Sequence, residues 1–248
     1  MGFLFTGDMK ADLKEVNQAF HESLKPWWDE LSVYLERVKQ DLTFNLLPAV
    51  TIVAYRQVGL SRETTIAMAN LFKTIYFANW IHGLVKDEEE GQKYHQPLQF
   101  TILIGDYISG RILKLLLEAG ASHLLEDFSK MMCSINEGLV IEHKLNGENL
   151  VVLDKTRGSL YATVFRTAGE LAGLNWHVLN IYEELGHNLG MAMELTFCMQ
   201  GQAKDFIGKT ESLFERFSAQ QKYVDQPLLG LIHELSKPVS FVNPAAMF

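Results

Sequence analysis

The sequence predicts an all-α protein, and three features of its residue pattern support that prediction. Its 248 residues include only six prolines, so long stretches are free to be helical. In several of these stretches apolar residues recur every three or four positions, as on one face of an amphipathic helix. Signals for β-strands are weak by comparison. The length and an apolar content of 48% suit one domain over residues 1–248, with a sizeable core.

Local signals indicate where individual elements begin and end. Ser61 precedes a nearly all-apolar stretch that runs to Trp80, and so little polar surface predicts a central helix that starts at a serine cap. Gly120 stands at a typical C-terminal cap position. The one short strand candidate is Leu150–Leu153, after an Asn-Gly turn. In chain order the predicted helices are Lys10–Gln40 with an interruption at Pro26, Leu46–Gln57, one from Ser61, one from Gln96 to Gly120, His123–Lys144, Asp154–Ala172, Trp176–Gln200 and others in the last fifty residues.

Charge and composition exclude several classes of partner. The chain has 22 basic and 30 acidic residues, a net charge of −8 and no dense Lys/Arg run, so neither nucleic acid nor an anionic membrane is an expected partner. No apolar window reaches the length of about 18 residues that a transmembrane segment needs, and residues 1–14 do not resemble a secretory signal. We therefore expect a cytoplasmic protein. Cys133 and Cys198 lack metal-type spacing and are expected to be small buried hydrophobes.

Three stretches carry motifs that occur in register. The first is Phe77–His82, followed after a gap by Ile102–Ile108 with its Gly-Asp-Tyr; the second is the Asp-Lys-Thr of Asp154–Thr156. The third is Tyr182–Met193, which contains Gly-His-Asn-Leu-Gly. Together, in order and spacing, they resemble the trans-prenyl diphosphate (polyprenyl) synthase family over roughly Leu46–Met199. The resemblance implies a helical bundle around a deep central cavity.

The chemistry of the active family members is missing from these motifs. Active synthases carry two aspartate-rich motifs that hold Mg²⁺, which prefers hard oxygen ligands. By the resemblance, the first motif falls on Gly83, Leu84 and Asp87, where one carboxylate remains. Losing metal-facing carboxylates removes charge stabilisation from the transition state, so we expect no catalytic residues and no metal in this chain. The second motif and the family's Gly-Lys-Arg cations fall on Phe197, Cys198 and Gly201, and on Thr43, Phe44 and Asn45, respectively.

Four residues remain candidates for residual substrate binding. Asp87 opens an acidic run to Glu90, which could form an irregular metal site, although a solvated loop is the favoured interpretation. Asp106 could face a ligand, although a helix-start or buried hydrogen-bonding role is favoured. Lys155 and Thr156 match a pair that contacts diphosphate in the family, or else they are ordinary residues of a helix N-terminus.

Two histidines and two glycines in these motifs have structural interpretations. His82 and His187 lie on apolar helices, where a satisfied core or interface histidine is the usual explanation. Gly186 and Gly190, spaced by four, are expected to allow close helix packing.

The motif loss predicts a non-catalytic regulatory or structural subunit of a heteromeric polyprenyl diphosphate synthase. The chain resembles component I of two-part heptaprenyl or hexaprenyl diphosphate synthases, which serve quinone side-chain synthesis. Its partner would be a catalytic synthase subunit that holds Mg²⁺, in a heterodimer or higher assembly, and a homodimer is possible when the chain is alone. In the family, the helices that begin here at Gln96 and His123 form the dimer interface. Partner-facing positions are therefore expected among Leu98, Ile102, Met131 and Ile135.

Two alternatives stay open. One is a homo-oligomeric isoprenoid-binding protein without catalysis. The other is an unusual Mg²⁺-dependent transferase that turns over an isoprenoid diphosphate through the Asp87–Glu90 run and Asp106.

Overall fold

The computed structural model describes residues 9–85, 96–145, 147–198, 203–221 and 226–236. Within these ranges all regular structure is helical, which confirms the predicted fold class. None of the described helices combines the length and the apolar content needed to cross a membrane. The α-helices are α1 (Lys10–Ser23), α2 (Ser32–Val38), α3 (Leu42–Gln57), α4 (Arg62–His82), α5 (Gln96–Glu118), α6 (Leu125–Leu145), α7 (Asn149–Leu153), α8 (Ser159–Leu171), α9 (Trp176–Cys198), α10 (Ala203–Ser218) and α11 (Gln226–Leu235).

Several predicted helix boundaries are confirmed at the level of individual contacts. The first helical region is interrupted around Pro26, between the end of α1 and the start of α2. The Ser61 hydroxyl accepts a hydrogen bond from the backbone N–H of Thr64 at 3.1 Å, as expected of a residue that caps α4. Gly120 ends α5 with a φ of +66°, in the left-handed region that favours glycine. Local capping chemistry therefore sets these ends.

Two local predictions are wrong, those for Leu150–Leu153 and Cys133, and one predicted helix is confirmed with a different first turn. Leu150–Leu153 forms part of helix α7 and not a strand, because a lone strand has no neighbour to pair its backbone groups, whereas a helical turn pairs them locally. The predicted helix from Asp154 opens with a π-helical turn, Asp154–Gly158, before α8. Cys133 is exposed and not buried.

Packing divides the chain into two compact units, and one of them, the N-terminal unit, comprises Met9–Val50 and Ile66–Ser122. Its core contains an aromatic cluster in which the ring of Phe20 meets Phe44 at 5.8 Å and Phe77 at 5.6 Å between centroids. Most of α4 is buried, as its apolar composition predicted.

The C-terminal unit comprises Thr51–Thr65 and the chain from His123 onward. Helices α8 and α9 approach closely because α9 presents glycines to aromatic rings of α8, as their spacing predicted. A Cβ atom on Gly186 would lie 2.6 Å from the ring of Phe165, and one on Gly190 would meet the ring of Tyr161. This close contact fixes the relative position of α8 and α9, whose side chains line the groove described next.

Candidate functional site

The Lys-Thr pair of the Asp154–Thr156 stretch lies in the π-turn Asp154–Gly158, between α7 and α8. Turns of this kind are rare and frequently mark functional sites. The Lys155 ammonium lies 2.8 Å from a carboxylate oxygen of Glu137 on α6. The buried Thr156 donates its hydroxyl hydrogen to the Val152 carbonyl at 2.7 Å. Both polar groups are thus engaged inside the C-terminal unit, and a contact with diphosphate stays a prediction.

Contacts from α6 and α9 hold the π-turn in place. His187 Nε2 lies 2.7 Å from Asp154 Oδ1, so this histidine has a partner, as expected. The imidazole packs over Gly158, where an added Cβ atom would lie 2.7 Å from Nε2. On the other side the Ser134 hydroxyl donates to the Lys155 carbonyl at 3.1 Å. A larger residue than glycine at position 158 would displace the imidazole from the carboxylate.

An open groove of about 470 Å³ follows α8 between α6 and α9. Every residue that lines it belongs to the C-terminal unit. Ser159 and Arg166, the first and last residues of α8 that line it, are seven residues apart, which corresponds to about 10 Å along a helix axis. The polar side chains that line it include Asp127 and Ser134 on α6, Ser159 and Arg166 on α8, and Glu183 and His187 on α9.

Arg166 ties the three walls of the groove together. Its guanidinium lies 2.7 Å from Asp127, 2.8 Å from Glu170 and 2.8 Å from Glu183. Burial opposes the charge, but hydrogen bonds to Glu183 and Asp127 outweigh that effect and raise the pKa of Arg166. Burial, followed by the charge of Asp127, raises the pKa of Glu170. Three carboxylates around one cation leave this end of the groove with surplus negative charge.

Two of the positions where the resemblance places the first aspartate-rich motif carry no oxygen ligand. Gly83 and Leu84 have no side-chain oxygen, and Asp87 lies outside the described residues. Asp106 is 66% exposed in the interior of α5, 3.8 Å from His82, so its favoured roles at a helix start or in a buried hydrogen bond are wrong. Among the described residues, no three His, Cys, Asp or Glu side chains form a group that could hold a metal ion. The residues that the structure describes do not fit the Mg²⁺ cluster of an active synthase.

Of the three positions where the resemblance places the family's diphosphate-binding cations, two are buried in a hydrophobic core and the third, Asn45, is half-buried. Thr43 and Phe44 are buried, and the Phe44 ring lies 5.8 Å from Phe20 and 6.0 Å from Phe77. The Asn45 amide donates to two backbone carbonyls at 2.8 Å each. None of these three side chains is cationic. The positions where the resemblance places the second aspartate-rich motif, Phe197, Cys198 and Gly201, have no described side chains.

Sequence reasoning overlooked Lys73, the lone lysine within the apolar stretch of α4. It is only 7% exposed, and burial lowers its pKa to about 8. Its Nζ donates to the Asn17 side-chain oxygen at 2.6 Å and lies over the rings of Phe44 and Phe20, at 4.5 and 5.1 Å from their centroids. A single charge inside a long apolar run is the sequence signal that could have identified it.

Two of the four predicted interface residues face inward. Met131 and Ile135 are 2% and 4% exposed within the single chain, because the apolar face of α6 packs against the core of its own unit. A partner could reach little of either side chain, so placing them at the interface was wrong. Ile102 is 40% exposed on α5, and the side chain of Leu98 lies outside the described residues. Other exposed apolar residues on these two helices are Leu103, Leu113 and Leu117 on α5, and Leu125, Val140 and Leu145 on α6.

Comparisons with known proteins agree with the helical architecture. No protein-family model matches the sequence. A decaprenyl-diphosphate synthase from Dictyostelium discoideum is 28% identical over 157 residues, which are 58% of this chain and 33% of that protein. The match therefore spans only about a third of the length of this relative.

Two solved structures illustrate the shared fold. A geranylgeranyl pyrophosphate synthetase from the archaeon Geoglobus acetivorans has a TM-score of 0.69 at 14% identity, over 95% of this chain and 98% of that chain. The geranyl diphosphate synthase small subunit from Antirrhinum majus has a TM-score of 0.66 at 16% identity, over 94% of this chain and 98% of that chain. The chain therefore has the all-helical fold of the isoprenyl diphosphate synthases, and its sequence similarity supports a relationship with the trans-isoprenyl diphosphate synthase family.

Proposed function

We propose that this chain is a non-catalytic regulatory or structural subunit of a heteromeric polyprenyl diphosphate synthase in isoprenoid biosynthesis, and that it works in the cytoplasm. The observation that carries the proposal is the loss of metal ligands within a retained fold. Gly83 and Leu84 stand where the resemblance places two aspartates of the first motif. Mg²⁺ requires oxygen ligands, and neither side chain supplies one.

The loss of diphosphate-binding cations supports the same proposal. Phe44 and Thr43 are buried in the N-terminal unit. A diphosphate that contacted them would have to lose its hydration, which is costly for a charged group. Lys73, which packs against Phe44, is enclosed by two aromatic rings and donates to Asn17. Its amine therefore acts as an internal cation of the core.

In the proposed complex the partner performs the chemistry. Its aspartate-rich motifs would hold Mg²⁺, which supplies charge neutralisation at the leaving diphosphate. We propose a two-part synthase of the heptaprenyl or hexaprenyl kind, to which this chain contributes a docking surface. The exposed apolar side chains on α5 suit that role, because charged residues are depleted at the centres of protein interfaces. They are Ile102, Leu103, Leu113 and Leu117. The similarity to the Antirrhinum majus protein adds support, since that protein is named a small subunit.

Reconstitution tests the proposal directly. The chain is purified alone and together with a polyprenyl diphosphate synthase from the same genome that carries both aspartate-rich motifs. We expect a defined complex in size-exclusion chromatography with light scattering, and Mg²⁺-dependent prenyl transfer from farnesyl and isopentenyl diphosphates that requires both chains. Failure to associate with any such synthase contradicts the proposal, as does Mg²⁺-dependent product from the isolated chain. Co-purified isoprenoid on a homo-oligomer would favour the binding-protein alternative.

A pair of equally exposed residues separates a specific interface from general surface hydrophobicity. Leu117 on α5 and Val33 on α2 are each 66% exposed. Leu117→Glu should weaken partner binding about tenfold or more, because it places an unpaired charge in the interface. Val33→Glu should leave binding unchanged. Both variants should keep the wild-type unfolding free energy to within about 0.5 kcal/mol, since surface substitutions rarely change it more. Equal effects of both variants on binding would contradict an interface on α5.

A further inference from the structure

We propose that the groove along α8 receives a basic side chain, arginine or lysine, from the partner subunit. This inference rests on the proposed function and identifies one contact of the complex. At one end of the groove the single guanidinium of Arg166 faces the carboxylates of Asp127, Glu170 and Glu183. At the other end Asp154 pairs with His187, which is charged only when it is protonated. Among the residues that line the groove, the carboxylates of Asp127, Asp154 and Glu183 outnumber the cationic side chains of Lys130 and Arg166, so the groove has more negative than positive charge.

The groups inside the groove favour a cation over an anion. The guanidinium of Arg166 is held by its three carboxylates, and Lys130 pairs with Glu126 at 2.6 Å. At the Arg166 end an arriving anion would face the carboxylates of Asp127 and Glu183 beside the guanidinium. Between the two ends, the hydroxyls of Ser134 and Ser159 lie 2.7 Å apart and can accept hydrogen bonds from an ammonium or guanidinium group. A long, flexible basic side chain could contact both the carboxylates at the ends of the groove and the serine hydroxyls between them.

The open shape favours a side chain over a free metal ion or amine. In the described residues, no group of three metal-ligating side chains occurs, at the groove or elsewhere. A small free amine would stay partly hydrated in an open groove and would bear the whole entropic cost of association, whereas a side chain shares that cost with the rest of an interface. Helix α6 supplies one wall, with Lys130 at an exposed position on the rim. Its outward side carries the exposed residues Leu125 and Val140, so a partner docked on α6 would border the groove.

A charge-neutralising double variant and a matched control test the inference. Asp154→Asn with Glu183→Gln removes two negative charges from the groove with little change of shape. Glu142→Gln with Glu184→Gln makes the same charge change at exposed positions on α6 and α9 that do not line the groove. Affinity for the synthase partner is measured for both variants at low and high salt. We expect the groove variant to bind about tenfold more weakly, with a shallower salt dependence, because close charge pairs at interfaces contribute strongly.

The controls separate this inference from the proposed function. If the wild-type chain binds the partner and both double variants bind alike, the groove assignment is overturned while the proposed function stands. If the wild-type chain does not bind, both fail. Thermal melting checks that the variants fold. If the groove double variant does not fold, the single variant Glu183→Gln replaces it. Tight binding of spermidine to the isolated chain, lost in the groove variant, would identify a free amine as the occupant and overturn the assignment to a partner.

Discussion

Replacing Lys73 by methionine is expected to stabilise the protein at neutral pH. The side chain is 7% exposed, and burial lowers its pKa from 10.5 to about 8. This shift corresponds to a cost of about 3 kcal/mol for keeping the buried amine protonated. Methionine has a similar length and no charge. The substitution also loses the hydrogen bond to Asn17, worth about 1 kcal/mol, and the contacts with two aromatic rings, worth about 1 kcal/mol together, so the expected net gain is about 1 kcal/mol.

The pH dependence of unfolding carries a distinct signature of Lys73. Its folded-state pKa lies below its unfolded value, so the unfolded chain binds more protons between pH 8 and 10.5. The stability cost is fully present below about pH 8 and is relieved as the pH rises towards about 10.5. The stability advantage of Lys73→Met over the wild-type protein should therefore shrink as the pH rises above about 8, and it should reverse before the full cost of about 3 kcal/mol is relieved.

Urea denaturation followed by circular dichroism at about pH 7 and about pH 9.5 measures both effects. Lys14→Met, at an exposed position on α1 of the same unit, is the matched control and should change stability by less than about 0.5 kcal/mol. A Lys73→Met protein that is less stable than the wild type at neutral pH, or a stability gap that does not change with pH, would refute the reasoning.

Two further substitutions and one control substitution test the packing of the C-terminal unit by thermal and chemical denaturation. Arg166→Gln should lower the free energy of unfolding by about 3 kcal/mol or more, because it leaves the nearly buried Asp127 without its cation; a loss below about 1 kcal/mol would contradict this role. Gly190→Ala should cost about 1–3 kcal/mol, because its Cβ atom would meet the ring of Tyr161. The helical Gly208 has open space around it, so Gly208→Ala should stabilise by up to about 1 kcal/mol. Equal effects of the two glycine substitutions would argue against close packing.

Features that depend on neighbours in the chain were predictable from the sequence. The helices, the serine cap at Ser61 and the glycine at Gly120 follow from capping and periodicity, which act over a few residues. The glycines at 186 and 190 were also interpretable, because a spacing of four places both on one face of a helix. The placement of Gly83 and Leu84 at motif positions rests on the resemblance in sequence alone and needs no tertiary contact.

Features that depend on contacts between distant segments were not predictable. Periodicity identified the apolar face of α6, but only packing shows that Met131 and Ile135 on that face meet the core of their own unit. The strand candidate after the Asn-Gly turn failed because no neighbouring strand exists for it in the described chain.

The sequence by itself determined that this chain is helical and that Gly83 and Leu84 offer no side-chain oxygen. Only the tertiary structure decided the surroundings of its charged groups. Arg166 meets Asp127, 39 residues away, and Lys73 meets Asn17, 56 residues away. The electrostatic energy of a side chain depends on distance and burial in three dimensions, and neither quantity is contained in the local residue pattern.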